Sequence, residues 1–124
     1  MIYLDTHVLV RLYLGEIRSL SPVARRAMEE NELLASAAAV LELQFLHEIG
    51  RLRPAAPKVM DVLGQAIGLR VCGLPFQLVV ENALGESWGR DPFDRLIVGN
   101  ARANDASLVT KDERIRQHYP RTVW

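Results

Sequence analysis

Short apolar runs alternate along this chain with longer stretches whose apolar residues recur at helical spacing. Ile2–Leu4 stops at Asp5 and Thr6, which reads as a buried strand ending where a helix begins. His7 to Leu14 continues as a helix up to Gly15, and Ser21-Pro22 pairs a cap with a first-turn proline to open a helix to about Glu30. Leu33–Ala35 is a second strand, and Ser36 caps a long helix from about Ala38 to Arg51. The prolines between Arg53 and Pro57 make a break, followed by a helix over Lys58 to Ile67, a strand over Leu69 to Leu74 and a helix over Phe76 to Leu84. After a polar loop from Gly85 to Arg90, Asp91-Pro92 starts a helix to about Ala103. Ser107–Thr110 is a strand, a short helix begins near Glu113, and Thr122–Trp124 is a last extended piece. Strands alternating with helices predict an α/β fold with a small central parallel sheet covered on both faces. There are no internal repeats or linkers, and 124 residues suit one domain over 1–124.

Composition narrows the function. Fifteen Lys and Arg balance 15 Asp and Glu, so the whole chain carries no basic field. An RNA-binding role would need locally clustered arginines. Cys72 is the only cysteine, which excludes a disulfide within the chain. No basic segment precedes the first apolar run, and no run nears the ~18 apolar residues of a membrane span. The expectation is a cytoplasmic protein.

The informative feature is where the acids fall. At ~100° per residue, the long helix after Ser36 has a polar stripe of Gln44, His47, Glu48 and Arg51 opposite Ala38, Phe45, Leu46 and Ile49. Glu42 falls within the apolar stripe and is expected to point inward. In the helix after Pro92, Asp94 precedes Ile97 and Val98 by three and four positions and so shares their apolar face, with Arg95, Gly99 and Arg102 on another. Asp5 and Asp112 each follow a strand, at the edge where a parallel sheet opens its ligand crevice. Each acid also has a plain structural reading: Asp5, Asp91 and Asp112 as helix caps, Glu42 as the partner of a buried arginine, and Asp94 as a first-turn acid favoured by the helix dipole. Converging carboxylates away from water repel one another and take up protons. A hard divalent cation resolves both problems, and oxygen ligands without cysteine favour Mg²⁺ or Mn²⁺. Such an ion activates water and neutralises phosphate charge, so the pattern points to metal-assisted phosphodiester hydrolysis.

Asp5-Thr6-His7, Ser36-Ala37-Ala38 with Glu42, Arg90-Asp91-Pro92-Phe93-Asp94-Arg95-Leu96 and Thr110-Lys111-Asp112 resemble PIN-domain ribonucleases in order and spacing. The Asp-Pro-Phe-Asp-Arg stretch is the most specific element and resembles a subgroup of VapC-type toxins. The resemblance implies a three-layer α/β/α fold and a Mg²⁺- or Mn²⁺-dependent endoribonuclease. It also implies a cognate antitoxin that holds the enzyme inactive, an RNA substrate and a homodimer, with Pro22–Met28 or Lys58–Ile67 available to pair. By position, Asp5, Glu42 and Asp94 match the family's core acids and Asp112 the fourth, as metal ligands and catalytic residues. Two departures stand out: His7 occupies a place where many members carry Asn, and Gly89 one where the subgroup often has His.

Around these acids, Thr6, His7, Arg90, Arg95 and Thr110 are candidates for substrate or antitoxin contact. Arg90 and Arg95 suit bidentate phosphate binding, or equally an ion pair with an antitoxin. His47 and His118 read as solvent-facing, Arg51 and Arg53 as helix-end cations, and Trp88 as a loop residue able to stack on a base or pack on a partner. Two rivals remain: a non-catalytic PIN-like interaction module with the same acids, and a receiver-type phospho-acceptor domain. The second would need an acidic pair after the first strand and an aspartate at a mid-chain strand end, whereas Asp5 is alone and Asp61 lies within a helical stretch.

Overall fold

Five short strands, β1 (Ile2–Leu4), β2 (Leu33–Ala35), β3 (Arg70–Val71), β4 (Ser107–Val109) and β5 (Thr122–Val123), form one parallel sheet in the order β3-β2-β1-β4-β5 in the computed structural model, which describes residues 1–124. Tyr3 stands beside Leu34 on one side and Leu108 on the other, so β1 is the central strand. β1, β2 and β4 are buried almost throughout, as a sheet covered on both faces requires. The chain runs outward from β1 through β2 to β3, then returns to add β4 and β5 on the opposite flank. That reversal opens a crevice at the carboxyl ends of β1 and β4.

Seven helices surround the sheet: α1 (Thr6–Tyr13), α2 (Pro22–Glu29), α3 (Ala37–Glu48), α4 (Ala56–Ile67), α5 (Phe76–Ala83), α6 (Pro92–Ala103) and α7 (Glu113–His118). Local chemistry sets most starts. The side chains of Ser21, Ser36, Asp91 and Asp112 accept hydrogen bonds from backbone N–H groups of the first turns of α2, α3, α6 and α7. Gly15 (φ +74) and Gly68 (φ +69) follow α1 and α4 in the left-handed region, where a side chain would be strained. The core is one apolar cluster of 26 residues, with Tyr3, Leu4, Leu9, Leu43, Ile97, Leu108 and Ile115 essentially inaccessible.

Three expectations change. α4 begins at Ala56, because Pro57 sits in the first turn, where a missing N–H does no harm, and so belongs to the helix rather than to the break. Only Arg70–Val71 of the third apolar run pairs with a neighbour, since β3 is a two-residue edge strand. On α3, the expected apolar stripe does not face inward as a whole. Leu41, Phe45 and Ile49 are exposed while Ala38, Ala39 and Leu43 are buried. This helix is apolar nearly all round, so periodicity does not choose a face. His47 and Gln44 are half-buried and committed to the backbone: His47 Nδ1 lies 3.1 Å from the Leu52 carbonyl, and Gln44 Oε1 accepts from Ala56 N–H at 3.1 Å.

The second face of α6 packs against α5. A Cβ on Gly99 would lie 2.8 Å from the Val79 carbonyl oxygen and 2.9 Å from Ala83 Cβ, so only glycine permits this approach. Arg95 donates from Nη2 to the Ala83 and Leu84 carbonyls (3.2 and 3.3 Å), capping the negative end of α5. Arg102 pairs with the buried Glu86 at 2.6 Å. These contacts hold α6, and with it the turn carrying Asp91 and Asp94. Gly99→Ala is expected to lower the unfolding free energy by about 1–3 kcal/mol despite alanine's better helix propensity, because the added methyl overpacks a backbone contact. Urea unfolding measures this, and a midpoint at or above the parent's would contradict the packing account.

Candidate active site

Asp5 ends β1 and begins α1, so it reaches the crevice from the middle of the sheet. It is only 4% exposed, and each of its carboxylate oxygens accepts one hydrogen bond. Oδ1 accepts from Thr6 N–H at 2.8 Å, and Oδ2 accepts from the Thr110 hydroxyl at 2.7 Å. His7 Nδ1 stands 3.4 Å from the same Oδ2. His7 Nε2 accepts the Lys111 backbone N–H at 3.0 Å, which places the ring's own proton on Nδ1, facing Asp5. Thr110 Oγ1 in turn accepts from Asp112 N–H at 3.1 Å. The ends of β1 and β4 are thus tied together through Thr110 and His7.

Around this base opens a cleft of about 510 Å³, lined by Asp5, Thr6, His7, Arg11, Glu16, Glu42, Asp91, Asp94 and Asp112 together with Val10 and Leu46. Asp112 and Asp91 cap α7 and α6 and line the cleft as well, so the structural and functional readings of these caps coexist. Glu42 and Asp94 differ from both. Each is half-buried, and neither carboxylate has a hydrogen bond or an ion pair with any part of the chain. No arginine partners Glu42.

The electrostatics follow from this crowding. Burial, followed by repulsion from Asp91, Asp5, Asp112 and Glu42, pushes the Asp94 carboxyl up to about 7. Burial also raises Glu42, assisted by Asp5 and Asp91 and opposed by the neighbouring Thr6 hydroxyl. That hydroxyl lies beside Glu42 but satisfies no hydrogen-bond geometry, which leaves it the one buried side-chain polar atom without a partner. The donor set is all oxygen, several of its members lack partners, and the local charge is strongly negative. A hard cation fits such a set. No three of these groups stand close enough together to form a ready-made cage. A Mg²⁺ ion would need only one or two of them as direct ligands, with water in its remaining positions.

The other singled-out residues divide. Thr6 and His7 line the cleft, and Thr110 lies behind it on Asp5. Arg90 and Arg95 line a separate groove with Phe76, Val80 and Leu84. Arg90 donates to the Ser87 carbonyl at 2.9 Å, and Arg95 is engaged with α5. Trp88 stacks on His118 (centroids 5.2 Å apart, planes within 3°) and donates to Glu86 at 2.5 Å. Asp61 lies inside α4, hydrogen-bonded to Gln65, and is at no strand end. Arg11 and Glu16 are cleft residues that sequence reasoning missed. Arg11 sits in the last turn of α1 and reads there as an ordinary helix-end cation.

Comparison with known proteins places this geometry. The PIN domain family matches residues 2–119. Ribonuclease VapC22 of Mycobacterium tuberculosis is 37% identical over 128 residues, spanning 99% of this chain and 98% of that protein. Two solved structures share the fold. A toxin–antitoxin complex from Klebsiella pneumoniae matches with a TM-score of 0.66 at 16% identity, over 100% of this chain and 97% of the other. VapBC2 from Rickettsia felis, bound to a DNA fragment from its promoter, matches with a TM-score of 0.65 at 18% identity, over 94% and 92%. Matched almost from end to end in sequence and fold, this chain belongs to the PIN-domain family, among the VapC ribonucleases.

Proposed function

We propose that this protein is an endoribonuclease that hydrolyses RNA phosphodiester bonds with a divalent cation, Mg²⁺ or Mn²⁺, and serves as the toxin of a cytoplasmic toxin–antitoxin pair. The observation that carries the reading is the pair of partnerless, half-buried carboxylates, Glu42 and Asp94, in one cleft with Asp5 and Asp112. Support for RNA as substrate comes from the relative named as a ribonuclease. Support for an antitoxin partner comes from the toxin–antitoxin complexes that share the fold.

In this reading one or two of Asp5, Glu42, Asp94 and Asp112 would hold the cation directly and the others would hold it through bound water. When bound it supplies an activated water and positive charge against the phosphate oxygens. The chain's own residues prepare that position. Thr110 and Thr6 N–H orient Asp5, His7 stands beside its second oxygen, and the α5 contacts keep Asp94 aimed at the cleft. Because the Asp94 carboxyl holds its proton to about pH 7, that proton would compete with a cation, so loading is favoured above that pH.

Cleavage of a single-stranded RNA is expected to need Mg²⁺ or Mn²⁺ and to stop in EDTA. Asp5→Asn and Asp94→Asn should lower kcat/KM on the order of a hundredfold or more, because each removes several kcal/mol of charge organisation. In cells, Asp94→Asn should relieve the growth arrest that the parent causes. A folded parent that cuts no RNA at any metal concentration would favour the non-catalytic module.

The sign of the pH effect is fixed by the raised carboxyl. Asp94 keeps its proton in the folded chain up to about pH 7, whereas the unfolded chain loses it near 3.8. Its contribution to metal-free stability is therefore fully present below pH 4 and is lost as the pH rises to 7. Metal-free Asp94→Asn should be more stable than the parent at pH 8, by on the order of 1–2 kcal/mol once solvent screening is allowed for. The two should converge at pH 4. Thermal melts in EDTA test this, and a gap that widened towards acid would contradict it.

A further inference from the structure

We propose that Arg11, braced against Trp124, is the residue that binds an RNA phosphate at the mouth of the acidic cleft. This rests on the ribonuclease reading above and adds a substrate contact to it. The cleft presents six carboxylates, so an approaching phosphodiester meets repulsion from most of its wall. Arg11 is the only lysine or arginine that lines it. Although Glu16 and five other acids share the cleft, the Arg11 guanidinium forms no ion pair within 4.0 Å with any of them. It is positioned in other ways. Nη1 donates to the Ser19 carbonyl at 3.1 Å, and the guanidinium carbon lies 5.5 Å from the centre of the Trp124 ring. Trp124 is itself packed against the edge of His7, with centroids 6.1 Å apart, and His7 faces Asp5.

The sequence Asp5–His7–Trp124–Arg11 thus ties a cation to the same base that holds the central acid. An arginine stacked on an aromatic face keeps its planar fork while its remaining N–H groups are free, the form suited to bidentate phosphate binding. Arg90 and Arg95 do not supply this charge, because both line a different groove and neither lines the acidic cleft. Arg11 therefore provides the local positive charge that a neutral chain needs to hold RNA against its own acids.

The test is binding rather than cleavage, made on the full chain carrying Asp94→Asn so that a labelled single-stranded RNA stays intact. Fluorescence anisotropy across a salt series in Mg²⁺ gives affinity and salt dependence together. Adding Arg11→Gln should weaken binding about tenfold and make the slope of log Kd against log salt shallower by ~0.7, the value for one phosphate contact on a single strand. Trp124→Leu, which keeps the charge but removes the brace, should weaken binding several-fold with the slope retained. Thermal melting establishes that each variant is folded, and Arg11→Lys, with the slope kept and affinity reduced, carries the test if Arg11→Gln is not. Parent-like affinity and slope in Arg11→Gln overturns the proposal, as does weaker binding with an unchanged slope, which marks a structural role. Loss of affinity for the antitoxin alone also overturns it and reassigns Arg11 to that partner. If neither the Asp94→Asn background nor the parent protein, kept from cleaving by EDTA, binds RNA, the ribonuclease reading itself fails and the phosphate contact falls with it.

Discussion

Repulsion among carboxylates that the fold brings to one edge of its sheet is the constraint on which the site depends. Six acids line the cleft, and two of them, Glu42 and Asp94, are half-buried with nothing in the chain to neutralise them. A folded chain does not gain stability from such an arrangement. Burial and mutual repulsion both oppose the ionised forms, and the Asp94 carboxyl responds by holding its proton to about pH 7. A group of this kind is retained where a ligand of opposite charge relieves it.

The scaffold concentrates its rigidity where this charge is held. β1 is central, Asp5 closes it, and the hydroxyl of Thr110 and the ring of His7 lock the end of β1 to the end of β4. On the other side of the cleft, α6 is held by its close approach to α5 at Gly99 and by Arg95 across the α5 terminus. Asp94 sits on the turn between these anchors. The acids are therefore kept near one another by packing in the core and by backbone capping, neither of which involves the carboxylates of Glu42 or Asp94. This separation leaves those two oxygen pairs without a charge partner in the chain.

Much of this architecture was legible in the chain. Caps at Ser21, Ser36 and Asp91, first-turn prolines at 22 and 92, and glycines at 15 and 68 punctuate the helices where the structure has them. The alternation of short apolar runs with helices specified a parallel sheet, and Asp5, Glu42, Asp94 and Asp112 do line one cleft. The failures have physical causes. α3 is apolar on nearly every side, so its buried face depends on neighbours far away in sequence, and Phe45 and Ile49 are exposed instead of buried. Gly99 and Arg95 fall on a second face of α6, and nothing local announces that α5 will cover it. Arg11 gives no local signal in the sequence, because the Trp124 ring it lies against is at the far end of the chain and only the sheet order brings it beside α1. Asp91 reads from sequence more readily as a cap than as a ligand, yet a cap at the mouth of a cleft also contributes its charge.

The central claim, that these carboxylates are organised for a hard cation, is tested most directly by titrating Mn²⁺ into the metal-free protein in calorimetry buffers of different ionisation heat. The account predicts saturable binding at pH 6 with release of about one proton per ion, falling towards zero by pH 8 as Asp94 ionises unaided. Binding without proton release at pH 6, or no binding at either pH, would contradict it.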